Sequence, residues 1–194
     1  MKKILPLVKI VVLLLPAIVF IVYYNLRMSN ERYEPHIYSL TGGRVLVAQI
    51  TGDPEITRDT AGTTLYNASR KLKLSPSYMS ARHLRWNQRY TSPIQDWIVH
   101  YSKMVPETAT GLADIKDTAD LKIFYERREK TEIAEILHLG RYEEIPDSLK
   151  KLRQFIDKEG YKLGGFYEEV YIIFEQIEPN PYEYETLLRY EVTK

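Results

Sequence analysis

The segment Phe166-Tyr-Glu-Glu-Val-Tyr-Ile-Ile-Phe174 holds the residues best suited to chemistry. If it is a strand, its side chains alternate, so Tyr167, Glu169, Tyr171 and Ile173 share one face. Phe166, Val170, Ile172 and Phe174 share the other, apolar enough to pack under a helix, with Glu168 at its edge. A carboxylate between two phenols offers one negative charge, hydrogen bonds and ring faces. That combination suits a cationic or amphipathic aromatic ligand. The same alternation also describes a solvated strand face in which tyrosine serves β-propensity, and periodicity leaves both readings open.

Other aromatic residues could join such a site. Trp86 and Tyr90 fall on one face of a second strand-like run, and Trp97, Val99 and Tyr101 on one face of a third. Which face points inward depends on sheet register. Most of the sixteen tyrosines suit strand composition and helix–sheet packing. His36, His83, His100 and His138 show no metal-ligand spacing, and there is no cysteine. Neither a Gly-rich phosphate loop nor a nucleophile elbow occurs, so no metal or cofactor is expected.

The elements that would hold these residues repeat. Arg44–Ile50 is a β-rich run stopped by Thr51-Gly-Asp-Pro54, and a helix follows over 60–74. Strands are expected over 80–90, 96–104, 121–126 and 131–139, and the clearest helix over Pro146–Glu159. Strands over 166–174 and 185–192 complete the chain. Each half thus reads strand, Gly-containing turn, helix and two strands, with Gly52 and Gly140 in matching places 88 residues apart. The expected fold class is α+β. Two strand-helix-strand-strand modules form one antiparallel sheet, with both helices on one face and the other face free to curve around a ligand.

A different kind of segment precedes them. Ile4–Leu26 is a run of 23 residues with one charge, Lys9. As a helix it would reach about 35 Å, enough for a bilayer core of about 30 Å. Its apolar core ends in Ile21-Val-Tyr-Tyr-Asn-Leu26, without the small residues of a cleavage site, so it reads as a retained single-pass anchor. The organisation is then an anchor over 1–27, a linker over 28–35 and a domain over 36–194. Lys2, Lys3 and Lys9 against Arg27 and Arg32 favour an extracytoplasmic domain by one charge. The first thirty residues carry four basic groups and no acid. Removing those four from 27 Lys and Arg leaves 23 against 26 Asp and Glu, about −3. A body of that charge does not suit phosphate backbones, so no nucleic-acid partner is expected.

The carboxy-terminal half also carries a resemblance. Ala134-Glu-Ile-Leu-His138-Leu-Gly140-Arg-Tyr142 resembles the opening of the second module of bacterial GyrI-like effector-binding domains. Gly165-Phe-Tyr167-Glu-Glu169-Val-Tyr171 is similar to that family's Glu-x-Tyr strand, and Glu178-Pro-Asn-Pro181 with Thr186-Leu187 to its closing turn and strand. The family's last strand usually ends in proline, where this chain has Glu191. The resemblance implies a ligand cleft between two modules, with Glu169 in contact with ligand and Tyr142 near it.

Together these readings lead to an anchored domain that binds a small organic molecule through Glu169, Tyr167, Tyr171, Tyr142, Trp97 and Tyr101. Two alternatives accompany it. Glu169 could act as general base in hydrolysis of a small electrophile, although one acid without a recognisable partner is thin support for an enzyme. The cleft could also hold a segment of a protein partner.

Overall fold

A computed structural model of the chain describes residues 33–74, 77–112 and 121–194, excluding the side chains of residues 89 and 90. Residues 35–194 form one compact unit. The apolar run over 4–26 lies outside the described residues. Among those described, no helix is long and apolar enough to cross a membrane.

Among the described residues, eight strands and three α-helices follow in chain order. They are β1 (His36–Leu40), β2 (Gly43–Thr51), α1 (Pro54–Lys71), β3 (Met79–His83), a short α2 (Gln88–Thr91), β4 (Ile98–Met104), β5 (Leu121–Arg128), β6 (Thr131–Leu139), α3 (Ile145–Lys158), β7 (Lys162–Ile173) and β8 (Glu185–Thr193). All pair antiparallel in the order β1-β6-β8-β7-β3-β4-β2-β5. The repeat is plain: β2-α1-β3-β4 and β6-α3-β7-β8 are the two modules, joined where β3 meets β7.

Local chemistry sets the helices. Asp53 Oδ1 accepts from the Glu55 amide at 2.9 Å, and Pro54 follows with its fixed φ. These signals start α1 at Pro54, six residues before the expected start, because the first turn carries no buried apolar residue to mark it. In α3 the stripe Leu149, Leu152 and Ile156 is buried and Lys158 sits in the last turn. Gly52 and Gly140, the matching turn glycines, both take positive φ, at 132° and 111°.

Two strand expectations change. The run expected over 80–90 leaves the sheet after His83 and enters α2, so Trp86 and Tyr90 do not share a strand face. Conversely β1 had no distinguishing pattern. Its five residues become a strand by pairing with β6 at the sheet edge.

The register defines two contrasting faces. One row runs Ile136, Leu188, Glu169, Ala81, Tyr101, Ala48 and Ile123 across the inner strands and β5. Both helices pack on this face. Ala61, Leu65 and Ala68 of α1 bury against Ala48, Ala81 and Tyr101. Leu149, Leu152 and Ile156 of α3 bury against Ala134, Leu188 and Tyr190.

The opposite face curls. Strands lie about 4.8 Å apart, so a flat sheet would hold β5 roughly 19 Å from β7. Arg128 of β5 nevertheless brings Nη1 to 2.9 Å from Glu168 of β7. Likewise β1 and β2 stand six places apart, roughly 29 Å if flat, yet the three Cα steps from Leu40 to Gly43 span at most about 11 Å. The sheet must therefore close towards a barrel on its helix-free side. Gly42 permits the corner, because a Cβ there would lie 2.3 Å from the Arg128 carbonyl oxygen.

Candidate functional site

Glu169 is the single acid in its row, on β7 at the joint between the modules. Tyr167 donates its hydroxyl to Glu169 Oε1 at 2.8 Å and Tyr171 donates to Oε2 at 2.9 Å. Strand alternation places the three side chains side by side, as the sequence implies. Their location differs from expectation. This face is the helix-bearing one, and Val170 and Ile172 look into the curl of the sheet instead of packing under α3. The candidate cleft is thus the gap between the amino-terminal ends of α1 and α3.

A cavity of about 100 Å³ occupies that gap, bounded by Pro54, Arg58, Trp97, Tyr142, Glu169 and Tyr171. Tyr142, in a short 3-10 turn before α3, donates to Glu175 Oε2 at 2.7 Å and meets the Tyr171 ring edge-on at 6.1 Å. Trp97 is buried, with its indole N–H donating to the Ser92 carbonyl at 3.0 Å. The other two expected residues stand back from the cavity. Tyr167 stacks between His83 (5.4 Å) and Tyr190 (5.2 Å). Tyr101 is fully buried beneath α1 and donates to the Pro54 carbonyl at 3.3 Å.

Arg58, on α1, had no signal in the sequence. Its guanidinium lies over Tyr142 at 4.5 Å and near Tyr171 at 5.8 Å, and pairs with Glu175 at 3.0 Å. Burial opposes its charge, but Tyr171, Glu175, Tyr142 and Glu169 outweigh that and raise its pKa. Among the described residues, Arg58 Nε is buried without a hydrogen-bond partner.

The phenols here are held protonated. Burial, then the Glu169 charge, pushes Tyr171 well above its ordinary value. Burial and the bond to Glu175 raise Tyr142, against Arg58. Tyr101 is pushed up to about 12, mainly by burial. At neutral pH each is a donor.

Glu168 was expected at a strand edge. It is instead 2% exposed on the curled face, within a polar row running His36, Glu135, Arg189, Glu168, Arg82, His100, Gln49 and Lys122 across the sheet. Arg82 Nε (3.1 Å), Arg128 Nη1 (2.9 Å), Arg189 Nη1 (3.5 Å) and the Ser80 hydroxyl (3.2 Å) all donate to it. Burial favours the neutral acid, but the three guanidiniums outweigh it and hold the pKa below the usual value. A lone acid interrupting an apolar alternation was the available signal.

His138 bonds Ser148 Oγ at 2.9 Å and the Arg141 carbonyl at 3.0 Å, which ties β6 to the start of α3. Among the described residues no group of three or more His, Cys, Asp and Glu side chains could hold a metal ion.

No family model matches the sequence, and no curated protein matches it. Solved structures do resemble it. An uncharacterized conserved protein from Listeria innocua aligns at 18% identity and TM-score 0.67, over 84% of this chain and 93% of its own. The EcmrR C-terminal domain aligns at 16% identity and TM-score 0.67, over 84% of this chain and 98% of its own. A hydrolase from Listeria innocua aligns at 18% and TM-score 0.65, over 84% and 93%. At these identities the likeness establishes the fold, and it fits the GyrI-like effector-binding fold that the sequence resembles.

Proposed function

We propose that this chain is a membrane-anchored small-molecule-binding protein whose 36–194 domain takes an organic cation, or an amphipathic aromatic molecule, at Glu169. One observation carries the reading: the chain's own guanidinium, Arg58, already lies over the Tyr142 ring beside Glu169 and Glu175. A place that holds a partly buried guanidinium over a ring face beside two carboxylates is one that suits positive charge. The cavity of about 100 Å³ is below the range of about 300–1,000 Å³ usual for drug-sized ligands. A larger ligand would therefore displace the Arg58 side chain and take its position.

Titration of the full chain with benzyltrimethylammonium, followed by Trp97 fluorescence, tests this. The expected result is saturable binding that weakens roughly 10–100-fold in Glu169→Gln, the size of a lost charge-assisted contact. Equal affinity in Glu169→Gln and in a Tyr142→Leu/Tyr171→Leu double variant would remove the site.

The anchor is the apolar run over 4–26, and the one-charge bias of its flanks supports an extracytoplasmic domain. Carboxy-terminal reporter fusions test both: activity of a cytoplasm-only reporter would reverse the orientation, and release by alkaline carbonate would sink the anchor. Nucleic acid has no part in this reading, because residues 31–194 carry about −3.

Hydrolysis is the second reading. Each Glu169 oxygen accepts one phenol proton and keeps a lone pair, and the adjoining cavity has room for water. Glu169 would then serve as general base on that water. Turnover of small esters or epoxides by the full chain, abolished in Glu169→Gln, would establish it over simple binding.

A further inference from the structure

The curl of the sheet encloses a second cavity, of about 470 Å³, on the face opposite the helices. An eight-stranded sheet closing on itself leaves an interior of the size that holds one small ligand. This cavity is separated from Glu169 by the sheet itself, since Glu168 and Val170 line it while Glu169 points to the helices. Its walls divide by chemistry. Val45, Val170, Ile172 and Leu187 are apolar, and one end is closed by Glu168 with its arginines.

Three guanidiniums (Arg82, Arg128, Arg189) line the charged end with two carboxylates, Glu168 and Glu129, and Glu135 and Glu126 pair with Arg189 and Arg128 from outside the lining. Glu168 already accepts four hydrogen bonds, three at Oε1 and one at Oε2. Arg189 is further engaged by Glu135 and Tyr38, and Arg82 lies over the Phe166 ring at 3.8 Å. Arg128 is the least satisfied. Its Nη1 holds Glu168, and among the described residues its buried Nε and Nη2 have no hydrogen-bond partner, with the equally unpaired Glu126 Oε2 3.8 Å from Nε. Buried donors rarely go unpaired in folded proteins, so a guanidinium short of acceptors in the wall of a cavity is the group suited to receive one.

We propose that the interior of the curled sheet is a second ligand site, which takes an amphipathic anion: a carboxylate head received by Arg128, and a short aliphatic chain along Val45, Val170, Ile172 and Leu187. The inference is independent of the Glu169 cleft and opposite to it in charge preference. One sheet then separates a site for cations from a site for anions.

Calorimetric titration of the full chain in phosphatidylcholine nanodiscs with octanoate tests the proposal, with empty nanodiscs as blank and octyltrimethylammonium as the charge-reversed probe. The expected result is one saturable octanoate per chain, weakened at least 10-fold in Arg128→Gln and less in Arg128→Lys. Leu187→Trp, which fills the cavity and leaves every charge in place, should abolish binding while the chain keeps its far-ultraviolet circular dichroism. Glu169→Gln should leave octanoate affinity unchanged, and Arg128→Gln should leave benzyltrimethylammonium affinity unchanged, so the two sites succeed or fail separately. Octanoate binding that is not saturable, or that survives both Arg128→Gln and Leu187→Trp, would overturn the second site.

Discussion

Glu168 and Glu169 are successive residues of β7, and their carboxylates lie on opposite faces of the sheet with wholly different partners. Glu169 accepts two hydrogen bonds from phenol hydroxyls in the helix-side gap. Glu168 accepts three guanidiniums and a serine hydroxyl in the curl. The hydrogen-bond partners of the first are neutral donors, with the Arg58 cation nearby. The second is already neutralised, and it organises positive charge drawn from β3, β5 and β8.

Removing Arg58 should strengthen cation binding. Its guanidinium occupies the ring face that a ligand cation would use, so the competent open state is only part of the population. Arg58→Ala is expected to raise benzyltrimethylammonium affinity roughly 5-fold, within the usual worth of a cation–π contact. A fall in affinity would mean that Arg58 holds the ligand and does not compete with it.

Glu168→Gln should be severely destabilising. It leaves three buried guanidiniums without their shared counter-ion, which typically costs about 3–5 kcal/mol. Urea unfolding of the variant would show this as a large drop in midpoint with little change in slope. A loss under about 1 kcal/mol would mean that the arginines find other partners, Glu126 and Glu135 being nearest.

The same residue sets an acid limit. The Glu168 pKa is depressed in the folded state, so its contribution to stability is complete above the unfolded value of about 4.3. That contribution is lost as pH falls through the lower folded value. Glu126, lowered chiefly by the His100 ring 3.4 Å away, acts in the same direction. The melting temperature should therefore begin to fall below about pH 4.3, and more gently in Glu168→Gln than in the parent.

Alkaline behaviour runs the other way. Tyr38 and Tyr101 are pushed up to about 12 by burial, and Tyr142 and Tyr171 are also raised. Folding favours the protonated phenol, so this stability is complete below about pH 10 and is lost as pH rises through the folded values. In a spectrophotometric titration these four tyrosines should ionise late, and together with unfolding. Complete ionisation of all sixteen by pH 11 in folded protein would contradict their burial.

How much of this was legible beforehand depended on range. Alternation within β7 is a property of adjacent residues, and it correctly grouped Tyr167, Glu169 and Tyr171 and set Glu168 apart. The helical stripe of α3 and the matching turns at Gly52 and Gly140 are equally local, so the repeated module could be read from them. Alternation names two faces, however, and does not say which one the helices cover. The apolar residues opposite Glu169 suggested that Val170 and Ile172 lie under α3, whereas they line the curl.

That choice was made by the other strands. Ile136, Leu188, Ala81, Tyr101 and Ala48 come into register with Glu169 and present an apolar surface for α1 and α3 to bury. The cation in the cleft comes from Arg58, more than a hundred residues before Glu169, on a helix whose charged residues look like any solvated face. Arg82, Arg128 and Arg189 meet at Glu168 only because the sheet curls, and curling follows from how all eight strands pair and connect. The sequence by itself determined which side chains stand together along one strand. Tertiary structure alone decided what faces them, because those partners depend on long-range register and on which surface is worth burying.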